Sequence, residues 1–188
     1  MPKRDADVEL KQEQRRIYRG SAAAFVTCGV VLGASHVFLP RFIQFPGDDL
    51  QSKLTFWASA NLFIVIWIMI GIGMVSVSRG RRHSAEDIRG SAYSTPSPRI
   101  AVPVAFLQNT LEQAIVTMFT QLALLLVLGT IAMPLIAGSV VLFAVGRVTF
   151  LAGYPEGAGA RSFGMAVTAL PSLAAFLSAT GVVIARAF

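Results

Sequence analysis

One long apolar stretch decides the fold of this chain: RIAVPVAFLQNTLEQAIVTMFTQLALLLVLGTIAMPLIAGSVVLFAVGRVTF, residues 99–150. A helix needs about 20 apolar residues to cross the hydrocarbon core of a bilayer. This stretch is too long for one crossing, so the chain must fold back within it. Gly129, followed by Pro134, marks the break, because Gly and Pro interrupt regular structure. The stretch therefore predicts two consecutive membrane helices, near Ile100–Leu128 and Ile131–Ala152.

The overall composition indicates an integral membrane protein. The 188 residues are 54% hydrophobic and 14% charged, whereas soluble domains carry about 25% charged residues. The net charge of +6 lies outside the apolar stretches, so it bears on membrane orientation and anionic lipid, and we expect no nucleic-acid partner. The single cysteine, Cys28, excludes an internal disulfide. We expect no metal site, because His36 and His83 have no partners at ligand spacing.

Three further apolar stretches bring the number of predicted spans to five. They are Ser21–Leu39, Leu54–Val77 and Ser162–Ala185. We expect an all-α integral membrane fold, a four-helix transmembrane bundle with one extra N-terminal transmembrane helix. The predicted parts are a polar N-terminal tail (1–20), the extra helix with its loop (21–53) and the four-helix domain (54–188). The tail contains four acidic residues, which favours a signal anchor over a cleaved signal peptide.

The distribution of Lys and Arg predicts the orientation in the membrane. Six of the sixteen basic residues precede residue 20, and five lie between Arg79 and Arg99. With five spans, both groups and Arg161 fall on one side, whereas the other side holds Arg41, Lys53 and Arg186. The positive-inside rule therefore places the N-terminus in the cytoplasm and the C-terminus outside.

Polar residues within two of the apolar stretches form the candidate site. Asn109 and Glu112 are one helical turn apart on the third span, and Arg147 and Tyr154 share a face of the fourth. An ionisable group at membrane depth costs roughly 3 kcal/mol or more unless it is paired or wetted. We therefore expect Glu112 and Arg147 to pair in one polar cleft, with Asn109 in the same hydrogen-bond network.

Arg161 stands where the last helix begins. A cation at a helix N-terminus opposes the helix dipole, and both the guanidinium and the exposed backbone amides would attract an anion. The other candidate residues could instead have purely structural roles. Asn109 can fasten two helices, Arg147 can extend to the interface, and Tyr154 can be an interfacial aromatic.

These residues carry a family resemblance. Asn109 to Glu112 reads N-x-x-E, and Arg147 to Gly164 reads R-x5-G-Y-x6-R-x2-G. The two motifs, in this order, resemble the MAPEG family, the membrane-associated proteins in eicosanoid and glutathione metabolism. That family includes microsomal glutathione transferases and the membrane leukotriene and prostaglandin synthases. The resemblance covers about Leu54–Ala185 and leaves the first span outside.

The resemblance implies a homotrimer in a bacterial inner membrane that binds glutathione between subunits near the cytoplasmic face. It implies that Asn109, Glu112, Arg147 and Tyr154 hold glutathione and that Arg161 is the catalytic residue that stabilises the thiolate. A nearby guanidinium lowers the pKa of a thiol, which is ordinarily about 8.5. The implied function is a glutathione-dependent transferase or peroxidase acting on lipophilic electrophiles, with membrane lipid as a partner.

Three positions depart from the family pattern. Several members have arginine where this chain has Ala105, and eicosanoid-making members have tyrosine at the positions of Gln113 and Phe150. These departures favour an alternative function, a non-catalytic membrane scaffold or lipid-binding trimer that retains the fold. A third possibility, a small transporter or channel subunit, gains no support from an internal repeat or a pair of broken helices.

Overall fold

The structure is a computed structural model that describes residues 3–81, 87 and 96–188. These ranges contain five α-helices: α1 (Lys3–Phe42), α2 (Leu50–Arg81), α3 (Pro98–Leu128), α4 (Ala132–Ala152) and α5 (Ala158–Ala187). Short 3-10 turns join α3 to α4 and α4 to α5. Most of the segment between α2 and α3, including His83, lies outside the described residues. The predicted all-α membrane fold is confirmed.

The chain reverses direction at Gly129, as the sequence predicts. Gly129 has φ 65° and ψ −144°, a backbone conformation that glycine adopts without strain. Across the turn, the side-chain amide of Gln121 on α3 donates to the Ser139 hydroxyl on α4 at 2.8 Å. This hydrogen bond joins the two arms of the turn, so α3 and α4 form an antiparallel hairpin.

The described residues include four stretches long and apolar enough to cross a membrane: Val8–Phe42, Leu50–Gly80, Pro98–Ala152 and Ala158–Ala187. The third contains both α3 and α4, and the reversal at Gly129 divides it into two crossings. Large apolar side chains such as Phe63, Phe119 and Leu177 are exposed on the outer surface, where lipid can cover them. The chain is an integral, multi-pass membrane protein.

Helices α2 to α5 pack around apolar clusters of modest size. One cluster contains Leu125, Met133 and Ile136 with small residues of α5, and another joins α2, α3 and α4 through Ile64, Ala114 and Phe143. Because lipid is as apolar as these side chains, close packing rather than exclusion from water holds such helices together.

Helices α4 and α5 approach each other closely at a pair of glycines, Gly146 and Gly164. A Cβ atom added to Gly164 would lie 2.7 Å from the Gly146 carbonyl oxygen and would also collide with the backbone of Phe150. Small residues at such crossings let membrane helices approach closely. The crossing therefore brings the face of α4 that carries Arg147 directly against α5.

Helix α1 is longer than the predicted first span. It continues from Lys3 to Phe42 without a break at residue 20, so the polar tail and the first span are one helix. It packs on α4 and α5 and buries Ala24 and Cys28 against Leu142 and Val167. Helix α1 is thus a packed fifth helix of the structure.

Candidate functional site

Arg147 lies at the centre of the candidate site and is 0% exposed. Its Nη1 atom donates to Asn109 Oδ1 on α3 at 2.7 Å, and its Nη2 atom donates to Thr168 Oγ1 on α5 at 2.9 Å. The guanidinium carbon lies 4.9 Å from the centre of the Phe150 ring and 5.5 Å from that of Phe143. Arg147 thus joins three helices and does not extend to the membrane interface.

The prediction of an ion pair between Glu112 and Arg147 is wrong within one protomer. In the described ranges Arg147 has no ion pair, and its Nε atom is buried without a hydrogen-bond partner. Glu112 is exposed and accepts a hydrogen bond from Gln108 Nε2 at 3.2 Å. The physical reason is that Asn109 and Thr168 take the Arg147 guanidinium inside the bundle, while Glu112 lies on the exposed side of α3.

A cavity of about 470 Å³ lies in front of Arg147 and opens to the surface of the protomer. Its polar lining is Ser21, Asn109, Tyr154, Arg161 and Ser162, and its apolar lining is Ile17, Ala105, Phe150, Ala158, Met165 and Ala166. Three of the five predicted site residues therefore share one cavity. Arg147 lies behind its wall through contacts with two lining residues, and Glu112 lies outside it.

Tyr154 and Arg161 are adjacent because the connection from α4 to α5 is tight. A Cβ atom on Gly153 would lie 2.6 Å from the Ala160 carbonyl oxygen, so glycine is required for the two segments to meet. The Arg161 guanidinium carbon lies 4.6 Å from the centre of the Tyr154 ring. This stacking holds the guanidinium at the cavity wall without neutralising its charge.

The backbone amide at the start of α5 is already occupied. Gly159 N–H donates to Glu13 Oε2 of α1 at 2.8 Å. One of the backbone amides at this helix start is therefore taken by a carboxylate of the same chain, whereas the Arg161 guanidinium has no ion pair among the described residues. Sequence reasoning missed Glu13, since a mixed-charge N-terminal segment gives no signal for this contact.

The charges around the cavity favour an anionic ligand. Arg161 lines the wall and Arg147 lies behind it, while none of the described residues that line the cavity is acidic. Positive charge against apolar walls attracts and holds anions, and the Tyr154 hydroxyl and the Asn109 amide can donate hydrogen bonds. The volume lies within the usual range of about 300–1,000 Å³ for ligand pockets.

Two of the three positions that depart from the family pattern also lie in this cavity. Ala105 and Phe150 line it, whereas Gln113 is half-buried elsewhere on α3. Sequence reasoning did not find Ile17, Ser21 or Met165, because isolated apolar and hydroxyl residues on membrane helices give no signal of a site.

A second buried polar cluster lies in the half of the bundle near Gly129. Asn61 Nδ2 donates to Gln121 Oε1 at 3.2 Å, and the Thr117 and Ser172 hydroxyls are 2.7 Å apart. These side chains carry no charge and join α2 to α3 and α3 to α5. They fasten the helices, as polar side chains in membrane bundles do.

The fold and the cavity define a multi-pass membrane helix bundle with a cavity that Arg161 lines. The sequence matches the model of the MAPEG family over residues 54–181, and the chain belongs to this family. Helix α1 and the loop after it lie outside the match. Comparisons with curated proteins and with solved structures give no match.

Proposed function

We propose that this protein is a glutathione-dependent transferase or peroxidase that acts on lipophilic electrophiles. The proposal is supported by one observation above all: Arg161 lines a cavity, and behind its wall lies a second guanidinium, that of Arg147, which has no ion pair among the described residues. Family membership supports it as well, because the MAPEG family includes glutathione-dependent transferases.

The polar residues in and behind the cavity wall have distinct roles in this proposal. Arg161 stabilises the glutathione thiolate and so lowers the pKa of the thiol. Each unit of that pKa corresponds to about 1.4 kcal/mol of stabilisation of the anion. Tyr154 and Asn109 donate hydrogen bonds to the bound tripeptide, and Arg147 fixes the Asn109 side chain at 2.7 Å. Because Ala105 and Phe150 supply no polar group, we expect weaker glutathione binding than in members with arginine and tyrosine there.

Glutathione supplies the nucleophile, a thiol that loses its proton to water and forms a carbon–sulfur bond as the electrophile releases its leaving group or opens its ring. The chain provides the positive field, and the apolar side chains that line the cavity lower the local dielectric, which strengthens that field.

We also propose a homotrimer, with Glu112 at the contact between protomers. Glu112 lies 14 residues from the start of α3, or about 21 Å along the helix, close to its middle, and it is exposed on the protomer. A carboxylate facing lipid at that depth is costly, and a neighbouring copy would cover it. In this proposal the N-terminus and the cavity mouth face the cytoplasm of a bacterial inner membrane.

The experiment is ultraviolet difference spectroscopy on purified protein with added glutathione at neutral pH. We expect a thiolate absorbance band in the wild type and its loss in Arg161→Ala, because the guanidinium stabilises the anion. Arg19→Ala is the matched control, since Arg19 is exposed on α1, and it should keep the band. A wild type without the band would contradict glutathione chemistry.

The alternative is a non-catalytic scaffold or lipid-binding trimer, favoured by the apolar residues Ala105 and Phe150 in the cavity lining. Under this alternative, glutathione gives no protection against heat, while Glu112→Gln still changes assembly. Thermal denaturation with and without glutathione separates the two functions, because a ligand that binds the folded state raises its stability.

A further inference from the structure

Helix α1 lies outside the family match, yet it forms part of the cavity wall. Ile17 and Ser21 line the cavity, and they are spaced by four residues, so both lie on one face of α1. Glu13, one turn earlier on that face, holds the Gly159 amide of α5 at 2.8 Å. The start of α1 is thereby tied to the helix that carries Arg161.

Close contacts of small residues keep α1 in this position. A Cβ atom on Gly159 would lie 2.6 Å from Arg16 Cβ, and one on Gly20 would collide with the Ser162 hydroxyl. Further along, a Cβ atom on Gly138 of α4 would lie 2.5 Å from Ser35 Oγ. Helix α1 is thus seated against the bundle along much of its length, and Ile17 is a fixed part of the wall.

The chemistry of the cavity is divided between its walls. Arg161 and Tyr154 supply a cation and a hydroxyl, while Ile17, Ala105 and Met165 present apolar atoms. A ligand that satisfies both parts has an anionic group and a hydrocarbon group. Burying the hydrocarbon group contributes about 25 cal/mol per Å² removed from water.

We propose that the cavity binds an anionic amphiphile whose charged group pairs with Arg161 and whose hydrocarbon group lies against Ile17 of α1, beside Ser21. Two sources share this chemistry: a glutathione thioether carrying an apolar substituent, which rests on the proposed function, and a free lipid carboxylate, which does not. In both cases α1 of the same protomer forms the wall against which the hydrocarbon group packs.

The experiment uses thiol protection in the full-length chain reconstituted in lipid nanodiscs. Cys28 is the single cysteine and is first replaced. Its sulfur lies 3.7 Å from the Val167 carbonyl oxygen, and the serine hydroxyl in Cys28→Ser can donate to the same oxygen. In that background, Ile17→Cys and Ser21→Cys test the wall. Tyr18→Cys and Ala22→Cys are controls on the exposed side of the same helix.

The rate of labelling by a membrane-permeant maleimide is measured with and without S-hexylglutathione or decanoate. When the ligand concentration is ten times the dissociation constant, about one site in eleven is free. We therefore expect about tenfold slower labelling of Ile17→Cys and Ser21→Cys. We expect no change for the two controls, and loss of protection when Arg161→Ala is added.

The two ligands separate the inference from the proposed function. Protection by decanoate alone would support the role of α1 and count against glutathione. A glutathione thiolate band without protection by either ligand would overturn the role of α1 and leave the proposed function standing. Equal protection of wall and control positions would also overturn it, because the ligand would then act from the bulk lipid.

Discussion

At the scale of the residue, Arg147 shows what the sequence could and could not specify. Its depth in an apolar stretch predicted a polar site, and the structure places it with Asn109 at that site. The partner was wrong, because motif spacing shows which residues share a helix but not the direction in which each side chain points. The Thr168 hydroxyl accepts from Arg147 and also donates to the Gly164 carbonyl of its own helix at 2.9 Å. It gave no signal, since a bond to its own backbone is what a threonine on a membrane helix ordinarily makes.

Thr168→Val should destabilise the bundle by about 1–3 kcal/mol, because it removes a buried hydrogen bond to a charged group. The midpoint of thermal unfolding in detergent measures this loss of stability. Thr149→Val is the matched control on α4, because the Thr149 hydroxyl donates to the Val145 carbonyl of its own helix at 2.8 Å. Equal midpoints for the two variants would show that Thr168 does not hold Arg147.

At the scale of the element, the apolar stretches predicted the helices well and the ends less well. The break at Gly129 was correct because a positive φ there demands glycine. The start of α1 was not predicted as part of the span, since its residues are polar and hydropathy marks only the apolar part of a helix. Packing of α1 on α4 and α5 could not be predicted, because hydropathy does not distinguish a helix that faces lipid from one that faces protein.

Gly164→Ala should separate α4 from α5 and lower the thermal midpoint, because the added Cβ would lie 2.7 Å from the Gly146 carbonyl oxygen. Gly73→Ala is the matched control: nothing lies within 4 Å of its Cβ position, and alanine is favoured over glycine in a helix by about 1 kcal/mol. We expect the control to be neutral or stabilising. A harmless Gly164→Ala would contradict the close crossing.

Asp49 caps the start of α2 and predicts a pH dependence. Hydrogen bonds from Ser52 hold the pKa of the Asp49 carboxyl below its ordinary range, and the Ser52 backbone N–H donates to Asp49 Oδ1 at 2.9 Å. Because the folded-state pKa is lowered, the carboxylate stabilises this helix start at pH values above about 4. The stabilisation is lost as the pH falls through the lowered pKa.

Hydrogen exchange of the first-turn amides of α2 measures this effect. Asp49→Ala should speed exchange at neutral pH, and the difference from wild type should vanish in strong acid. Asp48→Ala is the control, because Asp48 pairs with Lys53 at 3.2 Å without capping the helix. Identical exchange in Asp49→Ala and wild type at neutral pH would argue against the cap.

At the scale of the whole molecule, the composition identified the membrane protein and the two motifs identified its family. The arrangement of helices around the cavity came from the structure, since Ile17 on α1 and Met165 on α5 are far apart in the chain and share no pattern.

The assembly of protomers is a separate question at this scale. The outer face of α3 carries Glu112 beside apolar residues, and we propose that a second copy covers it.

Ile115→Trp should reduce the fraction of trimer, because Ile115 is 49% exposed on the same face of α3 as Glu112 and a larger side chain there would obstruct a neighbouring protomer. Leu177→Trp on α5 is the control, with 60% exposure on a surface we assign to lipid. Native mass spectrometry measures the oligomeric state. A monomeric wild type, or equal loss of trimer in both variants, would contradict the assembly.

The most direct measurement is an experimental structure of the full chain with S-hexylglutathione in lipid nanodiscs. We predict ligand density in the cavity beside Arg161, Tyr154 and Asn109, with the hexyl group against Ile17 of the same protomer and Arg147 behind the wall without a carboxylate. Density located away from Arg161, or an Arg147 paired with an acidic residue and a cavity filled by lipid alone, would contradict the account.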